Sequence, residues 1–214
     1  MSTLLLRERQ AVVTFAQRLI PDGLAVGTSG NLSARSGDRL AITPRGVGYG
    51  DLDAASVCVV SLDGDAVFAP LAPSTELPLH LAVYAATGAA AIVHTHSPYA
   101  TVLASVVDEL PAVHYLFATL GGPVRVAPYA TPGSPGLATN VAVALEGRSA
   151  VLLGSHGSVT VGNSLEEAYS RSVLLEWLAA LYYRARLLGE PRLVDPAELD
   201  KVAALLEHYL QPPR

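Results

Sequence analysis

The stretch AAAIVHTHSPYATVLASVV, residues 89–107, decides how the rest of the chain is interpreted. No Asp, Glu, Lys or Arg occurs from Leu77 to Val107, and an uncharged run of that length could cross a membrane as a helix. Two histidines and a proline in its middle argue against a helix at bilayer depth. Ser97-Pro98 instead has the pattern of a helix cap followed by proline at the first helical position. The stretch therefore predicts a buried strand that is followed by a helix.

Helical and strand-like patterns alternate along the remaining sequence. Apolar periodicity, caps and glycine or proline stops predict helices over residues 3–20, 77–86, 97–107, 136–145, 164–189 and 196–210. Alternating or β-branched runs predict a hairpin that returns over 39–43, strands over 56–62, 89–95, 113–118 and 124–128, and a strand pair over 150–161 that turns near His156-Gly157. Because the elements interleave without a strict βαβ rhythm, we expect one α/β or α+β domain over residues 1–214 with a central mixed sheet.

The composition excludes several classes of function. The chain has 214 residues, of which 15% are charged and 50% hydrophobic, with a formal net charge of −5. Because soluble proteins have about 25% charged residues, we expect part of the surface to be buried between subunits. The negative charge and scattered arginines argue against a nucleic-acid or membrane partner. Lys201 is the only lysine and lies in a predicted terminal helix, which nearly excludes Schiff-base chemistry. The first residues lack a signal-peptide core, so a cytoplasmic location is expected.

Four residues could form a metal site. His94 and His96 lie two apart at the end of a predicted strand, so both side chains point to one face and offer half of a tetrahedral zinc site. His156 precedes a glycine at a strand end, and Glu76 begins a helix in an otherwise uncharged stretch; these are candidates for the remaining ligands. Each residue could also have an ordinary structural role. His94 and His96 could be paired core histidines, His156 a turn histidine, and Glu76 an acid at a helix start.

Two other histidines bear on this assignment. Glu76 and His80 lie four residues apart on one helix face and could hold a metal themselves, although a supporting or core role for His80 is preferred. His114 is expected to face away from Tyr115 in a strand and to be structural. His208 is expected to be a solvated helix residue.

Three segments of small polar residues suggest an anion site. They are residues 27–33 (GTSGNLS), residues 43–46 (TPRG) and Ser74-Thr75 at a helix start, where unpaired N–H groups and the helix dipole favour phosphate. Neither a Walker loop nor a GxGxxG motif is present. Each segment alone is an ordinary turn, but together, beside Glu76, they predict a phosphate next to a metal.

These motifs, in their order and spacing, resemble the class II aldolase/adducin-type family. The resemblance is carried by GTSGN (27–31), ITPRG (42–46), PSTE (73–76), HTH (94–96) and HG (156–157), and it extends to VHY (113–115) and APYAT (127–131). It implies a three-layer α/β/α domain around a mostly antiparallel sheet. It also implies a cyclic homotetramer with active sites between subunits.

The resemblance assigns roles to individual residues. Zinc, with Co²⁺ or Mn²⁺ as alternatives, would be held by His94, His96 and His156, and Glu76 would be the fourth ligand at rest and the general acid/base in turnover. Phosphate would be held by Gly30, Asn31, Arg45, Gly46, Ser74 and Thr75, supported by Thr28 and Thr43. Tyr115 and Tyr209 match tyrosines that handle the aldehyde end, partly across a subunit boundary.

The implied reaction is the reversible cleavage of a (deoxy)ketose 1-phosphate, such as L-fuculose 1-phosphate or 5-deoxyribulose 1-phosphate, to dihydroxyacetone phosphate and a small aldehyde. Two sister activities would use the same metal site. A pentulose-phosphate 4-epimerase is kept open by Asp108, although Glu76 favours the aldolase, and a methylthioribulose-1-phosphate dehydratase is the other. A non-catalytic adducin-like interaction domain is a remote alternative, marked by loss of metal ligands, and all four candidates are present here.

Overall fold

The computed structural model describes the backbone of residues 3–210 and the side chains of residues 3–206. Nine strands form one sheet: β1 (Asn31–Ser36), β2 (Arg39–Ile42), β3 (Cys58–Ser61), β4 (Ala66–Phe68), β5 (Ala91–Thr95), β6 (Glu109–Leu110), β7 (Val124–Ala127), β8 (Ala150–Leu153) and β9 (Gly157–Gly162). Their order is β4-β3-β2-β1-β5-β9-β8-β7-β6. Neighbouring strands are antiparallel except β7 and β8, which are parallel. The expected mostly antiparallel central sheet is confirmed.

Helices cover both faces of this sheet, which confirms the three-layer α/β/α arrangement. They are α1 (Leu6–Ala16), α2 (Leu77–Ala86), α3 (Pro98–Ala104), α4 (Pro135–Ala144), α5 (Leu165–Leu188) and α6 (Pro196–Leu210). Helices α2 and α4 share one hydrophobic cluster with the sheet, whereas α1, α3 and α5 pack on the other face. Among the described residues, no helix combines the length and apolar character that a membrane crossing requires.

Strand β5 lies at the centre of the sheet, between β1 and β9, and is buried on both faces. Ile92 packs with α2 and α4, whereas Ala91 and Val93 pack with α1 and α5. Burial of the Ile92 and Val93 side chains stabilises the fold by roughly 1.5–3 kcal/mol each. Because side chains alternate along a strand, His94 follows Ile92 onto the α2 face. The double burial explains why this segment carries no formal charge.

Several predicted boundaries and one predicted element are wrong. The helix predicted over residues 3–20 ends at Ala16, and the helix predicted over 97–107 ends at Ala104. The strand predicted over 113–118 is wrong, because Tyr115–Leu120 forms a 3-10 helix. In that helix Phe117 and Leu120 are fully buried at a spacing of three residues, which suits three residues per turn. The short strands β4 and β6 were not predicted.

Gly157 allows β9 to approach β5 where the two strands begin to pair. A Cβ at this position would lie 2.2 Å from the carbonyl oxygen of Thr95. Gly157→Ala is therefore expected to lower the free energy of unfolding by about 3 kcal/mol, because the backbone itself must move. Urea denaturation measures this, with Gly88→Ala as the control because its Cβ would meet nothing within 4 Å. Equal stability of the two variants would contradict the expectation.

Candidate active site

Four side chains converge at one end of the sheet on the α2 face. Glu76 is the residue before α2, His94 lies in β5, His96 follows that strand, and His156 lies in the turn between β8 and β9. One potential ligand atom from each residue lies within 4.8 Å of the others. Glu76, His94 and His156 are buried, and His96 is half-buried. The structure thus brings together the four residues that the sequence singled out as metal ligands.

The distances within this cluster suit a shared cation. His94 Nε2 lies 3.0 Å from Glu76 Oε2 and 3.0 Å from His96 Nε2. His156 Nε2 lies 3.5 Å from Glu76 Oε1. Three imidazole nitrogens and a carboxylate oxygen are the ligand set that Zn²⁺ favours.

Two further observations show that the donor set fits a metal ion. His94 Nδ1 donates to the carbonyl oxygen of Ser158 over 2.9 Å, so Nε2 faces the cluster and is the nitrogen that would bind a metal ion after losing its proton. Glu76 Oε1 and His156 Nδ1 are buried and have no hydrogen-bond partner among the described residues. Because an unpaired buried carboxylate oxygen is costly, a bound cation would account for Oε1.

At Glu76 and His96 the pKa shifts favour the protonation states that bind metals. Burial alone would raise the pKa of Glu76, but the neighbouring His94 outweighs it and holds the pKa far below its ordinary range. Burial, followed by repulsion from His94, lowers the pKa of His96 to about 4. Glu76 is therefore ionised and His96 neutral near pH 7. At His94 burial alone would lower the pKa, but the Glu76 carboxylate outweighs it and raises the pKa, so a metal ion must displace a proton there.

His80 lies beside this cluster rather than in it. The ring is fully buried, and its two nitrogens lie 2.6 Å from Ser33 Oγ and 2.5 Å from Asn31 Oδ1. Burial lowers the pKa of His80 to about 3, so the ring is neutral. With both nitrogens engaged, His80 has the supporting position that the sequence favoured, and a two-residue metal site with Glu76 has no free nitrogen to use.

The three segments predicted to bind an anion meet next to the cluster. Ser74 N donates to the carbonyl oxygen of Thr43, and Leu32 N donates to the Thr43 hydroxyl over 3.2 Å. Gly30 has a φ of +84°, and a Cβ there would lie 2.7 Å from the carbonyl oxygen of His94, so only glycine fits. These contacts bind the predicted phosphate loops to each other and to β5.

The residues predicted to bind phosphate differ in their exposure to solvent. Exposed members are Thr28, Arg45, Gly46 and Thr75; Ser74 and Gly30 are half-buried; Asn31 and Thr43 are buried. The Asn31 amide is already committed, because Nδ2 donates to Glu76 Oε2 over 2.8 Å and Oδ1 faces His80. The Asn31 side chain therefore serves Glu76, a role that the sequence did not reveal.

Of the two candidate tyrosines, the structure describes the side chain of Tyr115 but not that of Tyr209. Tyr115 is 49% exposed at the start of its 3-10 helix, which begins with the His114 side chain accepting from Leu116 N. The expectation that His114 faces away from Tyr115 is wrong, since their ring centroids are 4.5 Å apart. The turn of the 3-10 helix, unlike a strand, places neighbouring side chains side by side. Tyr209 belongs to α6, but its side chain, like that of His208, lies outside the described residues.

Sequence reasoning also missed residues that support the site. The single proton of the Tyr49 hydroxyl is shared between the carbonyl oxygens of Ser29 and Gly30, which lie 2.8 and 2.7 Å away, and this contact fixes the glycine turn. The Ser158 carbonyl orients His94. The identity of residue 158 does not reveal that its backbone carbonyl accepts a hydrogen bond from His94. The alternation of residues along β9, however, could have placed Ser158 opposite Thr95.

Comparison with known proteins identifies the family. Residues 10–183 match the model of the class II aldolase and adducin N-terminal domain. The chain belongs to this family. A 5-deoxy-D-ribulose 1-phosphate aldolase of Bacillus thuringiensis serovar kurstaki is 38% identical, with 97% of this chain and 99% of the relative covered. A 5-methylthioribulose-1-phosphate/5-deoxyribulose-1-phosphate aldolase of Rhodospirillum rubrum is 36% identical, with 94% and 91% covered.

A solved structure agrees with this family membership. An L-fuculose 1-phosphate aldolase superposes with a TM-score of 0.92 at 35% identity, covering 97% of this chain and 98% of the other. The family resemblance expected from the motifs is confirmed, as is the fold that it implied.

Proposed function

We propose that the protein is a zinc-dependent class II aldolase that reversibly cleaves a (deoxy)ketose 1-phosphate to dihydroxyacetone phosphate and a small aldehyde. The observation that carries this proposal is the buried convergence of Glu76, His94, His96 and His156 beside three phosphate-type turns. L-fuculose 1-phosphate and 5-deoxyribulose 1-phosphate are the first substrates to test, since relatives with those activities align over nearly the whole chain.

The three histidines and Glu76 would hold the metal, with zinc favoured by their nitrogen-rich ligand set. When bound, the ion supplies positive charge that polarises the substrate carbonyl and stabilises negative charge on the ketone half. Glu76 moves the proton at the carbon that is cleaved from the aldehyde, because its carboxylate is ionised and lies in the cluster. Asn31 holds one Glu76 oxygen in place during this transfer.

The phosphate turns position the substrate for that transfer. Gly30, Arg45, Gly46, Ser74 and Thr75 would supply N–H, hydroxyl and guanidinium donors, with Thr28 and Thr43 in support. Anchoring the phosphate fixes the reacting carbons relative to Glu76 and so lowers the entropic cost of reaction. The requirement for a phosphorylated, charged substrate also suits the expected cytoplasmic location, since such sugars cross membranes poorly.

Arg45 provides a direct test of the phosphate site. Arg45→Ala is expected to raise KM for the sugar phosphate about 10- to 100-fold, because a charge-assisted hydrogen bond is worth roughly 1.5–3 kcal/mol. Steady-state kinetics measures this. Arg39→Ala is the matched control, because it removes the same charge at the other end of β2. A rise that is equal in both variants would indicate a general charge effect and reject the contact.

We also propose the homotetramer with active sites between subunits. It is supported by large apolar side chains that remain exposed on and near α3 and α5, namely Val102, Val106, Val173, Trp177 and Tyr183. Tyr115 and Tyr209 would then act at the aldehyde end from a subunit boundary. Sedimentation equilibrium tests the assembly, and a monomer at micromolar concentration would contradict it.

Product analysis by phosphorus and proton NMR tests the reaction. The zinc-loaded protein would be incubated with L-fuculose 1-phosphate, 5-deoxyribulose 1-phosphate, ribulose 5-phosphate and methylthioribulose 1-phosphate, each with and without chelator. Chelator-sensitive formation of dihydroxyacetone phosphate is the expected result. An epimer or a dehydrated product without cleavage would reject the aldolase in favour of a sister activity. An unchanged substrate in every tube would reject all three activities on these sugars.

A further inference from the structure

A line of buried polar side chains connects the interior of the α2 face to Glu76. The Tyr84 hydroxyl lies 2.8 Å from Ser33 Oγ, which lies 2.6 Å from His80 Nδ1. His80 Nε2 lies 2.5 Å from Asn31 Oδ1, and Asn31 Nδ2 lies 2.8 Å from Glu76 Oε2. All five residues are at most 6% exposed. The line therefore has no solvent-exposed member.

When Glu76 is ionised, only one assignment of donors and acceptors gives every group in this line a suitable partner. The carboxylate can only accept, so Asn31 must present its N–H groups to it and its carbonyl oxygen to His80. That oxygen also only accepts, so the proton of the neutral His80 ring must be on Nε2. Nδ1 is then bare and accepts from the Ser33 hydroxyl, which in turn accepts from Tyr84.

We propose that His80 is a positioning residue for Glu76. Its Nε2–H tautomer fixes the orientation of the Asn31 amide, and the amide holds Oε2 of Glu76. Held in this way, Oε2 also lies 3.0 Å from His94 Nε2, and Oε1, which has no hydrogen-bond partner among the described residues, lies 3.5 Å from His156 Nε2. The inference rests on the proposed role of Glu76 as the group that moves the substrate proton.

The opposite direction would harm the site. With the proton on His80 Nδ1, the bare Nε2 would face Asn31, and the amide would have to turn its N–H groups toward the ring. Asn31 Oδ1 would then face Glu76 Oε2, so two acceptors would be left in contact in a buried place. An apolar side chain would fill the space of His80 without this network, so simple packing does not require a histidine here.

Nitrogen-15 NMR of the metal-loaded, histidine-labelled protein tests the direction independently of activity. The His80 signals are assigned by their loss in His80→Gln. We expect a protonated Nε2 and a bare Nδ1 at neutral pH. A proton on Nδ1, or on both nitrogens, would overturn the proposal.

Kinetics tests whether the line matters to Glu76. His80→Leu should lower kcat about 10- to 100-fold with little change in KM, as supporting residues of metal sites do. His80→Gln should recover much of kcat, since its side-chain amide can still donate to Asn31. Zinc content is measured for each variant. Wild-type kcat in a folded, zinc-loaded His80→Leu would overturn the proposal.

Ser33→Ala and Ser172→Ala form a matched pair should His80→Leu fail to fold. Both serines are buried and hydrogen-bonded, but Ser172 bonds to Thr160 on the other face of the sheet. A lower kcat in Ser33→Ala alone supports the proposal, and an equal effect in both variants rejects it. If the wild-type protein cleaves no sugar phosphate, the proposed function fails, while the NMR result still decides the tautomer.

Discussion

Glu76→Gln is expected to lower kcat by about 10²- to 10⁴-fold while the protein retains its metal, because the variant loses proton transfer but little else. Glutamine has the same length and can still accept from Asn31 Nδ2 through its carbonyl oxygen. The three histidines remain to bind the ion, and catalytic zinc sites commonly have three protein ligands. Activity assays with metal analysis on the same sample measure both quantities.

The control for this variant is Glu166→Gln, which makes the same chemical change at an exposed position in the first turn of α5. Its kcat should equal that of the wild type. Near-normal turnover of Glu76→Gln would reject the proton-transfer role. Loss of the metal together with activity would show that Glu76 acts chiefly as a ligand.

His94→Ala is expected to abolish metal binding and, with it, detectable cleavage. His94 is fully buried, and its Nε2 is 3.0 Å from both Glu76 and His96, so its removal takes away the ligand at the centre of the cluster. It also leaves Glu76 without the neighbour that most lowers its pKa. Elemental analysis after dialysis measures the metal content.

His114→Ala is the matched control for metal binding, because His114 lies before the 3-10 helix and packs on Tyr115 and Trp177. It should retain the wild-type metal content. Stoichiometric zinc in a folded His94→Ala would contradict the site described here.

The metal ligands could be predicted because their signals are local. Strand alternation places His94 and His96 on one face, and a helix-start acid in an uncharged stretch marks Glu76. The fold could be predicted from the same patterns together with the motif resemblance. These features depend on neighbours in sequence, which a single sequence displays.

The remaining features depend on contacts between distant residues. Asn31 was expected at the phosphate, but its partners Glu76 and His80 are 45 and 49 residues away. The segment from Val113 has strand-like residues, yet the buried Phe117 and Leu120 turn it into a 3-10 helix. In both cases tertiary packing decides the outcome, and residue type alone does not reveal it.

The most direct test of the central claim is hydrogen exchange in dihydroxyacetone phosphate, which needs no knowledge of the aldehyde. The zinc-loaded protein is incubated with dihydroxyacetone phosphate in D₂O and followed by proton NMR. We predict that one hydrogen of the hydroxymethyl carbon exchanges, and that chelator or Glu76→Gln stops the exchange. Absence of exchange in the metal-loaded wild type, or equal exchange by Glu76→Gln, would contradict the account.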